Sequence, residues 1–295
     1  MDRVFHYSES NNIYYNLALE EYLVRNFDFT NQELLLIYRN EPCVVLGKNQ
    51  NFFQEVHLDS FFNSNYKLAR RISGGGTVVH DLGNVNFAFF EKYDLKNVNQ
   101  YSGSVGRIVN ALNNLDLKAS MNERNAIILE NGKKISGSAQ FSSNKAILSH
   151  LTLLFDSNLE MIDLLIQKNP YQLQTKASPS VRSFIDNISN YTDLSQDEFI
   201  QKSLSIMGFA NTLDNKLIDI SQVYKLMTEK YGQLHFYLDI SANGIISKNK
   251  IEIELENGRI LNIKGMNDPS KYIHKRLYPA DIALEDSLWT NLLLP

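Results

Sequence analysis

The 295-residue sequence is poor in cysteine, tryptophan and proline, with one, one and six residues respectively. A single cysteine, Cys43, excludes an intramolecular disulfide framework and any metal site built from several cysteines. No uninterrupted apolar stretch approaches the ~20 residues that a membrane-spanning helix needs. The N-terminal segment carries several charges and lacks the apolar centre of a secretory signal. These absences favour a cytoplasmic protein that does not act at a membrane.

The sequence also lacks an excess of positive charge, since its net charge is -4 and its pI is near 5.9. A chain of this kind has no general attraction to nucleic acid, so any anion site must be local. Its six histidines show no paired spacing, and the sequence therefore assigns no metal ligands. Its length and 43% hydrophobic content predict a globular protein with one large domain or a main domain and a small appendage.

One short stretch concentrates unusual residues: "ARRISGGGTVVHDLGN", from Ala69 to Asn84. Ordering three consecutive glycines is entropically costly, which indicates positive φ angles or a ligand lying against the main chain. The spacing fits neither a dinucleotide-binding turn nor a Walker loop. Strand-like residues on both sides predict a strand, a glycine loop and a second strand. Because Arg70 and Arg71 stand at its entrance, we expect an anionic ligand.

The remaining elements are predicted from periodicity and turn signals. "NNIYYNLALEEYLVRNF" predicts a first helix, and Ser195 with Glu198 predicts a capping box before another. "ELLLIYRN", "CVVLG", "NVNFAFF" and "KAILSHLTLLF" read as strands, and "GSVGRIVNALNNLDL" as a helix. Asn131-Gly132 and Asn257-Gly258 each predict a hairpin turn. The polar segment 169–193 is expected to be a surface loop.

Lys134 follows the first of these hairpin turns, in "GKKISGSAQF". If its strand lies beside the glycine loop, its ammonium faces the same anion as the arginines. Such a cluster suits attack of a carboxylate on the α-phosphate of ATP, where two anions must meet. In the alternative interpretation, Lys133 and Lys134 are solvated turn residues.

For three other residues, a purely structural role stands beside a functional one. His150 lies in an apolar strand, where a histidine is usually a satisfied core residue. Asp81 either orients the ring of His80 or bonds the backbone of the glycine turn. Cys43, in the apolar run "EPCVVLG", is expected to be a buried, inert thiol and not a nucleophile. No serine-hydrolase elbow is present.

Together these motifs resemble the lipoate-protein ligase A family of the biotin/lipoate ligase superfamily. "RRISGGGTVVHDLGNVNF" matches the family's Arg-Arg-X-Ser-Gly-Gly-Gly-X-X-X-His-Asp-X-Gly-Asn signature without a gap, and "GKKISGSAQ" matches its lysine motif. "YNLALEEYL", "SVRSFIDNI" and the strand of His150 occur in the family's order. The resemblance covers Tyr7 to Phe209, and the tail resembles a shortened form of the family's accessory domain.

The resemblance implies an α+β fold, with mixed and antiparallel sheets flanked by helices. It implies a catalytic domain over residues 1–235 and a small accessory domain over residues 236–295. The implied reaction uses lipoate and ATP with Mg²⁺ to form lipoyl-AMP, and a lysine of a lipoyl domain then accepts the lipoyl group. The implied acceptors are glycine cleavage H protein and the E2 subunits of 2-oxoacid dehydrogenases, and the implied state is a monomer.

By position in these motifs, Lys134 is the implied catalytic residue. The implied ATP- and adenylate-binding residues are Arg71, Ser73, Gly75, Gly76, Thr77, Val78, Val79, Asn84, Asn125 and Lys134. The implied lipoate-binding residues are Arg71, His80, Lys134, Ser136, Gly137 and His150.

The chain departs from the family at one motif, because "ERNA" replaces the usual Gly-Arg-Asn-Asp before the lysine hairpin. Ala126 therefore stands where the family has an aspartate, and Glu123 or Glu130 would have to compensate. The departure leaves open a transferase that uses a preformed lipoyl- or octanoyl-adenylate. A non-catalytic lipoyl-AMP binder is the third possibility, and an octanoyltransferase acting through Cys43 is disfavoured because Cys43 is distant in sequence from the lysine motif.

Overall fold

The structure is a computed structural model that describes residues 2–293. Its strands are β1 Asp2–Tyr7, β2 Gln32–Tyr38, β3 Cys43–Leu46, β4 Lys67–Arg70, β5 Val78–His80, β6 Asn84–Lys92, β7 Ala119–Met121, β8 Ile127–Leu129, β9 Lys134–Ser136, β10 Ser138–Ser142, β11 Ala146–Leu154, β12 Gln172–Gln174, β13 Asn211–Thr212, β14 Gly244–Lys248, β15 Ile251–Glu256 and β16 Arg259–Lys264. Its helices are α1 Ile13–Asn26, α2 Phe52–Glu55, α3 Leu58–Phe62, α4 Ser104–Asn114, α5 Leu159–Ile166, α6 Gln196–Met207, α7 Ile220–Leu226 and α8 Ser287–Leu293.

A six-stranded sheet of order β10-β11-β6-β2-β1-β13 forms the centre. Alternate side chains of β6 enter two cores, with Ala88 and Phe90 packed towards α1, and Phe87 and Phe89 towards α4 and α6. Successive residues of the strand "NVNFAFF" are therefore distributed between two buried faces, because helices cover both sides of the sheet. The predicted α+β class, with sheets flanked by helices, is confirmed.

Residues 71–77, named here the glycine segment, connect β4 to β5, the two strands that flank β3. β4 runs parallel to β3 and β5 runs antiparallel to it, in the order β4-β3-β5. Residues 71–77 must therefore cross the end of β3, and the predicted strand-glycine-strand arrangement is confirmed.

The lysine hairpin is also confirmed. β8 and β9 pair in antiparallel fashion, and Gly132 at their turn has φ of 79°. After Gly137 the chain enters β10, which joins the central sheet beside β11. Gly137 thus links the small β7-β8-β9 sheet to the central sheet, with Lys134 at the start of β9.

The tail forms a second sheet of order β12-β14-β15-β16. Its hairpin turns at Asn257 and Gly258, whose φ angles are 49° and 71°, as the sequence predicts. β12 is contributed by the segment expected to be a loop, and it pairs with β14. The division into domains at residues 235 and 236 stays a prediction, and its outer limits, Met1 and Pro295, lie outside the described residues.

The apolar spacing of "LYPADIALEDSLWTNLLL" predicts a helix over this C-terminal segment, but the observed helix is shorter. It begins only at Ser287, after turns, with the Asp286 carboxylate accepting the backbone N–H of Leu288. Over residues 2–293, the structure has no helix of the length and apolar character required to cross a membrane.

Candidate active site

The glycine segment is fixed by the guanidinium of Arg71. Arg71 Nη2 donates to the carbonyl oxygens of Gly74 (2.6 Å) and Gly76 (2.7 Å). Between them Gly75 adopts φ of 86°, a left-handed conformation that favours glycine. A Cβ atom on Gly47 would collide with the Gly75 carbonyl. The shape of the loop therefore depends on the hydrogen bonds of Arg71 and on the absence of a side chain at Gly47.

Arg71 also begins a buried chain of hydrogen bonds. Its Nε donates to Ser73 Oγ (3.0 Å), which lies 2.7 Å from His150 Nε2. His150 Nδ1 lies 2.9 Å from Oε2 of Glu20, and Oε1 of the same carboxylate accepts from the Tyr38 hydroxyl. Because Ser73 Oγ accepts from Arg71, its own proton is free to donate to His150, so that Nδ1 carries the ring proton towards Glu20. In this series of hydrogen bonds, each group therefore donates to the next, from Arg71 to Glu20.

Lys134 stands at the edge of this arrangement. Its backbone is held by Phe184, whose carbonyl accepts its N–H (2.8 Å), and by Asp186, whose N–H donates to its carbonyl (3.1 Å). A Cβ atom on Gly137 would lie 3.4 Å from Lys134 Nζ, so glycine leaves room for the ammonium. Among the described residues, Nζ has no ion-pair partner. Burial, reinforced by the nearby charge of Arg124, lowers the pKa of Lys134.

Two adjoining cavities meet at Lys134. The glycine chamber, of about 680 Å³, is lined by the glycine segment together with Leu17, Tyr38, Val45, His80, Asn86 and His150. The second cavity, of about 670 Å³, is named the strap chamber after the segment of residues 176–185 that contributes to its lining. It is more apolar, and its lining includes Phe53, Glu55, Val79, Leu154, Ile162 and Tyr171. Their common wall includes Thr77, Val78, Lys134, Gly137 and Thr152. A ligand reaching from one chamber to the other must pass Lys134.

The structure brings most of the predicted site residues together at these chambers. The residues that line one or both are Arg71, Gly75, Gly76, Thr77, Val78, Val79, His80, Lys134, Ser136, Gly137 and His150. Ser73, Asn84 and Asn125 line neither. Ser73 is hydrogen-bonded to Arg71 and His150, while the Asn125 carbonyl accepts from the Ser138 hydroxyl. The role of each residue towards a ligand stays a prediction.

The segment of residues 176–185, named here the strap, lines both chambers and was missed as a site element. Ser180 Oγ accepts the backbone N–H of Thr77 (2.9 Å) and a proton from Gln50 Nε2 (2.8 Å), and it contacts the Glu55 carboxylate. Glu55 also accepts the backbone N–H of Ser180 (3.0 Å). The strap is thereby tied to the glycine segment. Only its place in the resemblance, as "SVRSFIDNI", marked this polar stretch as more than a surface loop.

The alternatives for Asp81 and Cys43 are resolved. The Asp81 carboxylate accepts the backbone N–H groups of Gly83 and Asn84, so it holds the turn and does not orient His80. Cys43 is buried, lines neither chamber, and has a pKa raised by desolvation. A thiol of this kind is inert, as predicted.

Ala126 lies in the wall of the glycine chamber, in a tight turn where Asn122 Oδ1 accepts its N–H (3.0 Å). Glu123 and Glu130 are both exposed, and Glu130 pairs with Lys118 at the surface. Neither glutamate lines a chamber. Among the described residues that line the two chambers, Glu55 is the one with an acidic side chain.

Comparison with known proteins gives a consistent family. A model described as the lipoyl protein ligase A/B catalytic domain matches residues 12–207. The lipoate-protein ligase LplJ of Bacillus subtilis is 32% identical over 269 residues, which cover 86% of this chain and 81% of that protein. Lipoate–protein ligase 1 of Staphylococcus aureus is 34% identical over 221 residues, covering 73% of this chain and 67% of its own.

Solved structures show the same similarity. A lipoate-protein ligase A bound with ATP superposes with a TM-score of 0.69 at 25% identity, over 82% of this chain and 98% of its own. A putative lipoate protein ligase from T. acidophilum with bound lipoic acid gives 0.66 at 25% identity, over 80% and 98%. A bipartite lipoate protein ligase from Thermoplasma acidophilum, described with its E2 lipoyl domain, gives 0.69 at 25% identity, over 84% and 98%.

Proposed function

The chain belongs to the lipoyl protein ligase A/B catalytic domain family, and we propose that it is an ATP-dependent lipoate–protein ligase. The observation that carries the proposal is the position of Lys134. Its ammonium lies without an ion-pair partner among the described residues, between two chambers and beside a glycine segment. A single cation can there face both a carboxylate from one chamber and a phosphate from the other.

We propose that the strap chamber takes the nucleotide and the glycine chamber takes the lipoyl chain. The more apolar strap chamber suits a base, and Val79 and Leu154 contribute to its lining. The glycine chamber has apolar walls at Leu17 and Val45 that suit an acyl chain. The glycine segment between them exposes main chain, against which an adenylate can lie closely.

The proposed reaction has two steps, and in each of them one bond forms while another breaks. First, a carboxylate oxygen of lipoate bonds to the α-phosphorus of ATP while the bond to the bridging oxygen breaks, and pyrophosphate leaves. Then the neutral ε-amine of the acceptor lysine attacks the acyl carbonyl, AMP leaves with the bonding electron pair, and the amine loses a proton. Lys134 lowers the repulsion between the two anions in the first step and stabilises the phosphate that departs in the second.

Mg²⁺ is part of the proposal as a companion of ATP. Over residues 2–293, no group of three or more acidic, histidine or cysteine side chains forms a ready metal site. Magnesium commonly needs only one or two carboxylates when substrate phosphates supply the other ligands. The buried Glu55 of the strap chamber fits that requirement and is the residue that would hold the ion. Bound there, the ion would neutralise phosphate charge.

The acceptor is proposed to be a lipoyl domain, in keeping with the relative described with its E2 lipoyl domain. Glycine cleavage H protein and E2 subunits of 2-oxoacid dehydrogenases are the proposed partners, and the protein is proposed to act as a cytoplasmic monomer.

The departure at Ala126 favours one second candidate, a transferase that uses a preformed acyl-adenylate. Lipoate-dependent exchange of pyrophosphate into ATP separates the two, because only a protein that activates lipoate supports exchange. We expect exchange from the wild-type chain and little change from Ala126→Asp. Absent exchange with intact transfer from synthetic lipoyl-AMP would support the transferase. Absence of both, with lipoyl-AMP bound, would support a binder.

A further inference from the structure

A chain of amide side chains fixes the tautomer of His80. Asn16 Nδ2 donates to Asn40 Oδ1 (2.8 Å), which leaves Asn40 Nδ2 facing His80 Nδ1 at 2.9 Å. An amide nitrogen only donates, so Nδ1 of the neutral ring accepts and Nε2 carries the proton. Burial, with a smaller effect from Arg71 and His150, lowers the pKa of His80 to about 3. The ring is therefore a neutral N–H donor at physiological pH.

That donor has no acceptor within the described part of the protein. His80 is 4% exposed and lines the glycine chamber. Its Nε2 atom is itself buried and makes no hydrogen bond among the described residues. Two other polar side chains that line this chamber already have partners: His150 bridges Ser73 and Glu20, and the Tyr38 hydroxyl donates to Glu20. A buried donor without a partner is destabilising, so a ligand that accepts from it gains affinity.

His80 lies two residues along its strand from the wall that the two chambers share. On β5, Val78 lies in the wall common to both chambers, and His80 follows two residues further on the same strand face. On β11, Thr152 lies in that common wall, and His150 is again two residues away. Two residues span about 7 Å of strand. Both histidines are thus displaced by that distance along their strands from the shared wall that includes Lys134, and both line the glycine chamber.

We propose that His80 Nε2–H contacts the dithiolane sulfur of the lipoyl chain and makes this protein prefer lipoate to octanoate. The inference rests on the proposed function and adds a specificity-determining residue to it. With the carboxylate at Lys134, the far end of the acyl chain lies at His80. Lipoate presents a weak sulfur acceptor there, while octanoate presents only carbon and leaves the N–H unpaired.

Three variants separate the donor from other effects of His80. His80→Asn keeps an oxygen for Asn40 but withdraws the donor from the chamber. His80→Gln keeps an oxygen for Asn40 and returns an N–H near the position of Nε2. His235→Asn is the matched control at an exposed histidine. The shorter side chain of His80→Asn also leaves room for the bulkier lipoate, so space alone would shift the preference in the opposite direction.

The measurement is the calorimetric affinity for lipoate and for octanoate, each taken on the full chain. We expect wild type, His80→Gln and His235→Asn to favour lipoate, and His80→Asn to lose about fivefold or more of that preference. A wild-type chain without preference, or an unchanged ratio in His80→Asn, would overturn the inference. If neither acid binds wild type or supports pyrophosphate exchange, the proposed function itself fails.

A second readout needs no variant. In nitrogen NMR of the wild-type chain, the Nε2–H signal of His80 should shift with lipoate and shift less with octanoate. Equal shifts with both acids would contradict a contact with sulfur. This readout keeps the inference testable if His80→Asn does not fold.

Discussion

The glycine chamber has two unlike walls. One is a buried framework in which Arg71, His150 and Glu20 are 6%, 8% and 1% exposed and are joined by directed hydrogen bonds. The other is the strap, where Val181 and Phe184 are 61% and 88% exposed and Ser180 provides the tie to Thr77. The framework is organised by its own buried hydrogen bonds, while the strap is anchored at Ser180 and at the backbone contact of Phe184 with Lys134. Substitutions in the framework should therefore affect the chemistry, and those in the strap should affect binding.

The largest effect should come from Lys134, which stands where the two walls meet. Lys134→Ala should reduce lipoylation of an acceptor domain by at least about a hundredfold, because the reacting anions lose their shared cation. Transfer of radiolabelled lipoate measures it, and circular dichroism should show an unchanged fold. Lys133→Ala is the matched control, since Lys133 pairs with Asp186 away from the chambers. Undiminished turnover of Lys134→Ala would refute its assigned role.

The next effect tests the framework wall. Glu20→Gln keeps the shape of the side chain but weakens the acceptor of both His150 and Tyr38. We expect adenylation to fall about tenfold and the free energy of unfolding to fall by about 1–3 kcal/mol. Pyrophosphate exchange and urea unfolding measure the two quantities. Glu41→Gln, in an exposed pair with Lys67, is the control. Wild-type values for both quantities would mean that the buried chain does not organise the site.

The strap wall should respond differently. Ser180→Ala removes the hydroxyl that links Glu55, Gln50 and Thr77. We expect the KM for ATP to rise about threefold with little change in kcat or stability, as for an interaction made equally in ground and transition states. Steady-state exchange kinetics at varied ATP give both constants. A fall in kcat without a change in KM would erase the distinction between the walls.

The smallest effect concerns the pH profile. The charge of Arg124 contributes to lowering the pKa of Lys134, so Arg124→Gln should raise that pKa. Because Lys134 acts as a cation, activity declines as pH rises through its pKa. The alkaline limb of the exchange rate should therefore move to higher pH in the variant. A shift to lower pH would show that another group controls this limb.

The sequence predicted the parts of the site that lie in continuous motifs. The glycine segment, the Asn131-Gly132 hairpin and helix α1 all follow from local turn signals and periodicity. Local turn and capping signals alone do not predict that Lys134 lies beside the glycine segment. That expectation came from the family resemblance, because the approach depends on β9, Gly137 and β10 joining two sheets.

The rest of the site depends on contacts between distant positions. Glu20 reads as an ordinary polar residue in a helix, yet it meets His150 across the core. Glu55 and Ser180 pair across a similar separation, and Asn40 fixes the ring of His80. No periodicity within a window of the chain encodes such pairs, since they exist only once the sheets are assembled. Buried polar residues are thus the part of this site that a sequence reveals last.

The collision expected between a side chain at position 47 and the Gly75 carbonyl has a practical meaning for anyone redesigning this protein. The range of acyl substrates can be altered by shortening side chains around the pocket, but position 47 must remain a glycine. Any methyl there would lift the glycine segment and carry Arg71 with it. Libraries that aim at new acyl substrates should keep this one codon fixed.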